Sequence, residues 1–426
     1  MRLGIVAALC ATARAFDVVG VEVLASQLLP VGFAFGNDTL AELSACRFAP
    51  GSSTRLTFAD DAGALVAADV TLDPFAVAPR SRVVLGGGGV DSEGLAYDAS
   101  KNLYVSSETE ADASLGIGAY DAATGALLAS PFALPPDAVR RARKNAGYEG
   151  LTVAPGPCVG DADAASAYVV TTTEYALRGD DNGTRTVEAW RLPPSDPPAF
   201  PAVALTYAAS ATRAGEALGV VEFEALERSL LVLERDYTPG VGNLVRLFEA
   251  EARGASLEKR LVFEWDGDGA RGPGGNALWG DLAVDNYEGM CLAPAGADAT
   301  QRRLLLVNDD NRNPDQIGTQ FVLLRLGLAA AGAPPVEAPK DSAGLRVFIL
   351  IVTLGIVVLA IFFLGRVVAA RRAANAPPVL GDPGLMLTSL HFAPPDVSGP
   401  YAPVLANDHD GDESPRAVDA ARAGLV

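Results

Sequence analysis

Histidine is almost missing from this chain. There are 2 in 426 residues, His391 and His409, and both stand near the C-terminus. The chain before them must work without imidazole, which excludes a Ser-His-Asp triad, a Cys-His pair and a His-ligated zinc site there. Cysteine is scarce, with 4 in all. Cys10 falls in an N-terminal leader, so Cys46, Cys158 and Cys291 remain, enough for one disulfide and one thiol with the pairing open. Positive charge is short as well: 33 Lys and Arg face 52 Asp and Glu, a net charge of −19. Nucleic acid is excluded as a partner, because phosphate backbones need clustered Lys and Arg. An acidic chain suits a soluble surface or one that binds cations. Sustained helical periodicity is rare too. Only Ala138 to Lys144, with Arg140, Arg141 and Arg143, reads as a short exposed helix, its basic face either solvated or a phosphate funnel. Gly86 to Gly89 lacks a following Gly-Lys-Ser/Thr and is a turn, not a phosphate loop.

The two ends carry what the middle lacks. Arg2, the apolar Leu3 to Cys10 and Ala13-Arg14-Ala15 form a secretory signal, predicted as residues 1–15. A run without charge from Val347 to Leu364 is long enough to cross a bilayer, predicting a span over 346–365. Arg366, Arg371 and Arg372 follow it and place the tail in the cytosol. The Ala-, Gly- and Pro-rich stretch 329–345 is a stalk. The tail 366–426 is disordered by composition, and Tyr401-Ala-Pro-Val404 has the shape of a sorting signal. The expected plan is a single-pass type I membrane protein of the secretory pathway or cell surface. Two acceptors for N-glycans, Asn37-Asp-Thr39 and Asn182-Gly-Thr184, fit that plan.

Between the ends, residues 16–328 hold short strand-length runs punctuated by Gly, Pro, Asn and Asp. One phrase recurs among them. Asp91-Ser-Glu93-Gly94-Leu95 precedes a strand ending at Glu108. Gly147-Tyr-Glu149-Gly150-Leu151 precedes one ending at Glu174. Asn286-Tyr-Glu288-Gly289-Met290 precedes one ending at Asp309-Asp310. A looser copy, Val221-Glu222-Phe223-Glu224, precedes Leu230 to Glu234-Arg235-Asp236. Repeats on a ~40–50 residue scale predict an all-β propeller of about six blades. The last strand, Gln320 to Leu326, is expected to pair near the mature N-terminus and close the ring.

These phrases together resemble the phytase-like family, also described as esterase-like activity of phytase. The matching residues are Asp91-Ser-Glu-Gly-Leu-Ala96, Tyr104-Val-Ser-Ser-Glu108, Asn145-Ala-Gly-Tyr-Glu-Gly-Leu151, Leu231-Val-Leu-Glu-Arg-Asp-Tyr-Thr-Pro-Gly-Val-Gly-Asn243, Asn286-Tyr-Glu-Gly-Met290 and Leu305-Leu-Val-Asn-Asp-Asp-Asn311 with Thr319-Gln320-Phe321. The resemblance implies a β-propeller, often secreted or membrane-anchored, and phosphoester hydrolysis. The Asp-Asp-Pro-Ala signature of alkaline calcium-dependent propeller phytases is not present in this chain.

Without histidine, chemistry here must rest on carboxylates, a hard metal ion, Arg or Lys. Glu93, Glu149, Glu288 and Arg235 are the candidate catalytic residues. Glu93, Glu108, Glu149, Glu174, Glu234, Glu288, Asp309 and Asp310 are the candidate metal ligands. Their oxygens suit Ca²⁺ or another hard divalent cation. The glycine after each glutamate is expected to let the backbone turn and approach a ligand. The alternative is that each glutamate caps a turn. Arg235 either clamps a phosphate or neutralises Glu234 or Asp236, and Arg312 is a further charge-neutralising candidate. Asp266-Gly-Asp268-Gly269 reads as a hairpin turn. Two functions follow: a cation-dependent hydrolase of small phosphoesters, or a calcium-stabilised ectodomain that binds a surface ligand without catalysis.

Overall fold

In the computed structural model the described residues run from 18 to 329, except 89, 109–115, 144–146, 213–216, 239–241, 267–268, 272–276, 280–281, 283 and 314–315. The expected signal, span and tail, and all but the first residue of the expected stalk, lie outside them. Among the described residues no helix is long and apolar enough to cross a membrane.

Burial varies with strand position in a way that dictates the architecture. The first strand of each sheet is buried on both faces, so its sequence loses the alternation of a half-exposed strand. Leu43–Phe48, Asp91–Tyr97, Tyr148–Pro155, Gly219–Ala225 and Tyr287–Leu292 are of this kind. Outer strands alternate or are exposed throughout, as in Val203–Ala208 and Leu127–Ala129. Strands that grade from dry to wet in this way are stacked around an axis.

The chain opens with β1 (Val18–Leu29) and the hairpin β2 (Phe33–Phe35) and β3 (Asp38–Leu40). Blade I is β4 (Leu43–Phe48), β5 (Arg55–Asp60), β6 (Ala64–Leu72) and β7 (Phe75–Val84). Blade II is β8 (Asp91–Tyr97), β9 (Leu103–Glu108), β10 (Gly116–Tyr120) and β11 (Leu127–Ala129). A short helix α1 (Pro136–Arg141) leads to blade III: β12 (Tyr148–Pro155), β13 (Ala167–Thr173), β14 (Thr184–Leu192) and β15 (Val203–Ala208). Blade IV is β16 (Gly219–Ala225), β17 (Leu230–Thr238), β18 (Gly242–Arg253) and β19 (Ser256–Asp266). The short strands β20 (Gly269–Arg271) and β21 (Ala277–Trp279) extend β19, and Asp266 opposite Gly269 closes the expected hairpin. Blade V is β22 (Tyr287–Leu292), β23 (Gln301–Asn308) and β24 (Thr319–Leu328), with β1 as its outer strand. Outer strands β15 and β19 touch in parallel and join blades III and IV into one sheet.

Five apolar cores lie between the blades, one for each neighbouring pair. Trp190, Tyr148 and Phe132 fill the core between blades II and III, and Trp265, Phe263 and Tyr287 fill that between IV and V. The cluster around Phe58 and Phe321 spans V and I, so the ring closes. The other two clusters join I to II and III to IV. The described residues thus form a propeller of five blades, within one of the six expected. Blades I and II fit a ~40–50 residue repeat, but blade III spreads from Tyr148 to Ala208 and blade IV, with β18 and β19 at 12 and 11 residues, is extended by β20 and β21, so the same length of chain makes fewer blades. The segment before Val90 supplies blade I and the outer strand of blade V.

Two devices close the ring. β1 pairs along β24 from Val18 opposite Leu328 to Leu29 opposite Thr319, the expected clasp. Cys46 on β4 is bonded to Cys291 on β22, with Cα atoms 5.5 Å apart, which resolves the open pairing and ties the first blade to the last. Cys158 stays a buried thiol. The helix starts earlier than expected, at Pro136, because proline fits a first helical turn. Its Arg140 and Arg141 pair with Asp137, and Arg141 also with Asp180, so this basic face serves surface ion pairs.

Candidate functional site

The recurrent phrase has a geometric meaning. In every blade the pairing of the first two strands slips by one residue at the same place, a β-bulge. Such an extra residue re-aims its side chain out of the sheet. The slips fall at Ser44, Glu93, Glu149-Gly150, Val221 and Glu288. Three blades therefore aim a glutamate at the axis, while blades I and IV carry Ser44 and Val221 at the same register, Val221 packing into the apolar core between blades IV and V.

The glycines serve packing between blades rather than approach to a ligand. A Cβ on Gly94 would stand 2.6 Å from the Glu149 carbonyl oxygen, one on Gly150 2.3 Å from the Glu222 Cα, and one on Gly289 3.2 Å from the Ala45 Cα. Each contact is to the inner strand of the next blade. Gly147 and Gly219 leave room in the same way for the Glu108 and Glu174 side chains of the preceding blade.

Counting back from the bulge, the second strands present Asp61, Glu108, Glu174, Arg235 and Asp309 at equivalent places. With Glu93, Glu149 and Glu288 they line a cavity of about 660 Å³ at the mouth of the ring. Asp91, Asp285, Asn286, Tyr237, Asn243 and Gln316 complete much of its wall. Six of the eight expected metal ligands and all four expected catalytic residues are thus brought together.

Glu234 and Asp310 are not among them. Each lies one residue off the lining register, so its side chain points away from the axis. Glu234 is fully buried between blades III and IV, where it accepts hydrogen bonds from Tyr207 Oη at 2.6 Å, the Ser210 amide at 3.0 Å and Lys259 Nζ at 2.5 Å. Asp310 accepts from the Glu42 amide at 3.1 Å, the Arg312 amide at 3.2 Å and Thr319 Oγ1 at 2.9 Å, holding the turn after β23. The expected helpers are also engaged. Arg312 pairs with Glu42 at 2.8 Å. Arg235 Nη2 lies 2.5 Å from Glu288 Oε1 and 3.3 Å from Glu174 Oε1, so it neutralises channel acids and not its sequence neighbours Glu234 or Asp236.

The wall carries far more acid than base, and burial makes that costly. Burial, then repulsion from neighbouring carboxylates, pushes Asp61, Glu93, Glu149 and Asp309 well above the usual carboxylate range. Burial raises Glu108 to about 7 against the pull of the Gly147 amide that it accepts. Burial also raises Glu174, with Arg235 opposing. Burial alone would lower the Arg235 guanidinium, but Glu288 and Glu174 outweigh it and hold it charged.

Turn-capping explains only part of the set. Glu108 does cap Gly147, and Asn286 Nδ2 reaches Glu288 at 2.8 Å. Glu93 and Glu149 are 6% and 5% exposed, and among the described residues neither carboxylate has a hydrogen bond or an ion pair. Carboxylate oxygens of Asp61, Asp91 and Glu93 lie within 4.8 Å of one another, a spacing that one cation can bridge.

Two residues of this region carried signals that repeat-matching passed over. Asp61 ends a strand on acid like its counterparts, but blade I has no Glu-Gly step to mark it. Arg47 is a charge inside a short apolar strand. It donates to the carbonyls of Cys46 at 2.7 Å, Leu151 at 2.6 Å, Phe223 at 2.7 Å and Met290 at 2.5 Å, and pairs with Glu222 at 3.1 Å. Those groups come from four blades, so Arg47 sits on the axis and closes the channel beneath the acids.

Among solved structures, the PQQ-bound form of aldose sugar dehydrogenase from Streptomyces coelicolor is similar at 13% identity, over 70% of this chain and 82% of that one, with a TM-score of 0.32. No curated protein matches in sequence. The family model described as phytase-like, esterase-like activity of phytase, matches residues 39–312, from β3 to just past β23. That stretch contains every bulge and every strand end that builds the acidic mouth, and the chain belongs to the phytase-like family.

Proposed function

We propose that the acidic funnel binds a divalent cation, Ca²⁺ foremost, and with it hydrolyses small phosphoesters outside the cytosol. The observation that carries this reading is the pair of buried carboxylates, Glu93 and Glu149, that face the cavity without a hydrogen bond. Buried charges need a partner, and unpartnered ones are rare. The donor set fits a hard cation: the acids offer only oxygen, and the described residues contain no histidine. Asp61, Asp91 and Glu93 would hold the ion.

An anionic substrate supports the same conclusion by exclusion. Arg235 already serves two acids, so a phosphoryl group could enter only with its own neutralising charge. A divalent cation held by the trio would supply positive charge that polarises a phosphoryl oxygen. Glu149, with no hydrogen bond of its own among the described residues, would orient an attacking water and take its proton. Arg47 closes the floor, so substrate enters and product leaves by the mouth.

The Cys46–Cys291 bond supports an oxidising compartment, and the leader and apolar run support a type I protein of the secretory pathway or cell surface. Both glycan acceptors, Asn37 and Asn182, are exposed.

The test uses the full chain purified in detergent. It should release phosphate from p-nitrophenyl phosphate or phytate in Ca²⁺ and stop when chelated. A second reading, a calcium-stabilised binding ectodomain, is favoured by the engagement of Arg235, which leaves no spare basic side chain among the described residues that line the cavity. Calcium-dependent stabilisation with no turnover across divalent metals and pH would decide for that second reading.

A further inference from the structure

The wall of the funnel is not uniform. Most of it is carboxylate and amide, but its apolar part is gathered on blade IV and the flank of blade V, in Tyr237, Val284 and Ile317. Tyr237 follows Arg235 by one period of the strand β17, so both face the cavity. Its ring is 61% exposed. Among the described aromatic side chains only Phe200 is exposed as well, while Tyr104, Tyr148, Tyr207 and Tyr287 are buried. Asn243 of β18 lies directly opposite Tyr237 in the ladder, so the two side chains stand together on one face. Asn243 is half-buried and lines the same cavity. Among the described residues its side-chain amide makes no hydrogen bond. The lip thus holds an open aromatic face beside an unused amide.

We propose that Tyr237 and Asn243 form a base-recognition subsite, and that the phosphoesters the funnel takes are nucleotides, adenine nucleotides foremost. This rests on the reading of the funnel as a cation-dependent phosphoester site and adds the identity of the group that leaves. The base stacks on the Tyr237 ring, and its edge meets Asn243. An amide side chain sets a donor and an acceptor side by side, which matches the acceptor and amino group on the edge of adenine. Stacking uses the π-face and not charge, so it holds a substrate that the acids around it repel. Val284 and Ile317 offer apolar surface near the ring. Water then adds to phosphorus, the bond from phosphorus to the ribose oxygen breaks, and that oxygen takes up a proton. The products are a nucleoside and inorganic phosphate.

The test titrates the full chain, in detergent with Ca²⁺, by calorimetry. The probes are phosphonates that cannot be hydrolysed, with a methylene in place of the ester oxygen: the analogues of AMP, of IMP and of ribose phosphate. The AMP analogue should bind about tenfold or more tighter than the ribose analogue. Tyr237→Ala should remove that advantage and leave the ribose analogue unchanged, while Tyr237→Phe keeps it. The wild type should also prefer the AMP analogue to the IMP analogue by about tenfold, and Asn243→Leu should bind the two alike. Equal affinity for the AMP and ribose analogues in the wild type overturns the inference. So does an advantage that survives Tyr237→Ala, and so does binding of neither. A preference for AMP over IMP that is absent from the wild type, or that survives Asn243→Leu, overturns the choice of adenine. Phosphate release from AMP itself is measured alongside. Release without a base preference overturns the inference and keeps the hydrolase reading. A base preference without release upholds the subsite and overturns the hydrolase reading.

Discussion

At the scale of the residue, one position in register separates site from scaffold. Glu234 and Arg235 are neighbours in sequence, but the bulge at Val221 puts Arg235 in the mouth and Glu234 between blades. Matching strand ends by their acids picks out Glu234, because it equates like chemistry with like position. The fixed point is the bulge, and blade IV hides it by placing Val221 where blades II, III and V place glutamate. The two kinds of acid should respond differently. Asp61→Asn should abolish Ca²⁺-dependent thermal stabilisation, which for the wild type at 100-fold excess over Kd is about 2.7 kcal/mol. Glu234→Gln should retain that calcium response yet lose about 1–3 kcal/mol of stability in either condition, since Lys259 is left with a weakened partner. Differential scanning fluorimetry with and without chelator checks both. Survival of the calcium response in Asp61→Asn would remove that residue from the ligand set.

At the scale of the element, the Glu-Gly step is two instructions written side by side. The glutamate is aimed by the bulge, and the glycine admits the next blade. The repeat was legible because both demands recur around the ring. The purpose of the glycine was not legible, because its neighbour lies in another blade. Gly150→Ala should cost several kcal/mol or prevent folding, since its Cβ would stand 2.3 Å from the Glu222 Cα in a packed backbone. Gly183→Ala, where nothing lies within 4 Å, should stay within about 0.5 kcal/mol. Chemical denaturation of the two variants checks the contrast. The disulfide is an element of the same kind. Cysteine arithmetic left the pair open, and only the meeting of β4 with β22 decides it. Cys46→Ser with Cys291→Ser should lower stability by about 2–5 kcal/mol, read as an earlier unfolding midpoint.

At the scale of the whole molecule, the charge balance becomes a dependence on pH. Glu108 in the funnel and Glu188, buried beside Tyr148, both titrate near 7 in the folded chain, against 4.5 for an ordinary glutamate. The folded state then binds more protons than the unfolded state between these values, so stability falls as pH rises through that window. Chelated protein should melt at a lower temperature at about pH 8 than at about pH 5, the loss being complete once pH passes the folded values. Added Ca²⁺ should recover the funnel's share at the upper pH and leave the share of Glu188. A melting temperature that rises over this range in chelator would contradict the burial of these acids. The propeller itself was readable from repeat and strand length. The number of blades was not, because a repeat reports where blades begin and says little about how long their outer strands run.

The clasp also sets a clock. β1 is among the first strands to be made, yet its partner β24 is the last, and Cys46 must wait for Cys291 across a separation of 245 residues. A chain emerging from its N-terminus can complete blades I, II, III and IV in turn, but blade V has no outer strand until β24 meets β1. Throughout synthesis the chain is an open arc with bare strand edges at both ends and a reactive thiol near its start. Its vulnerable period is the interval before the last blade arrives, and a helper that shields strand edges or guards Cys46 would matter then and not afterwards.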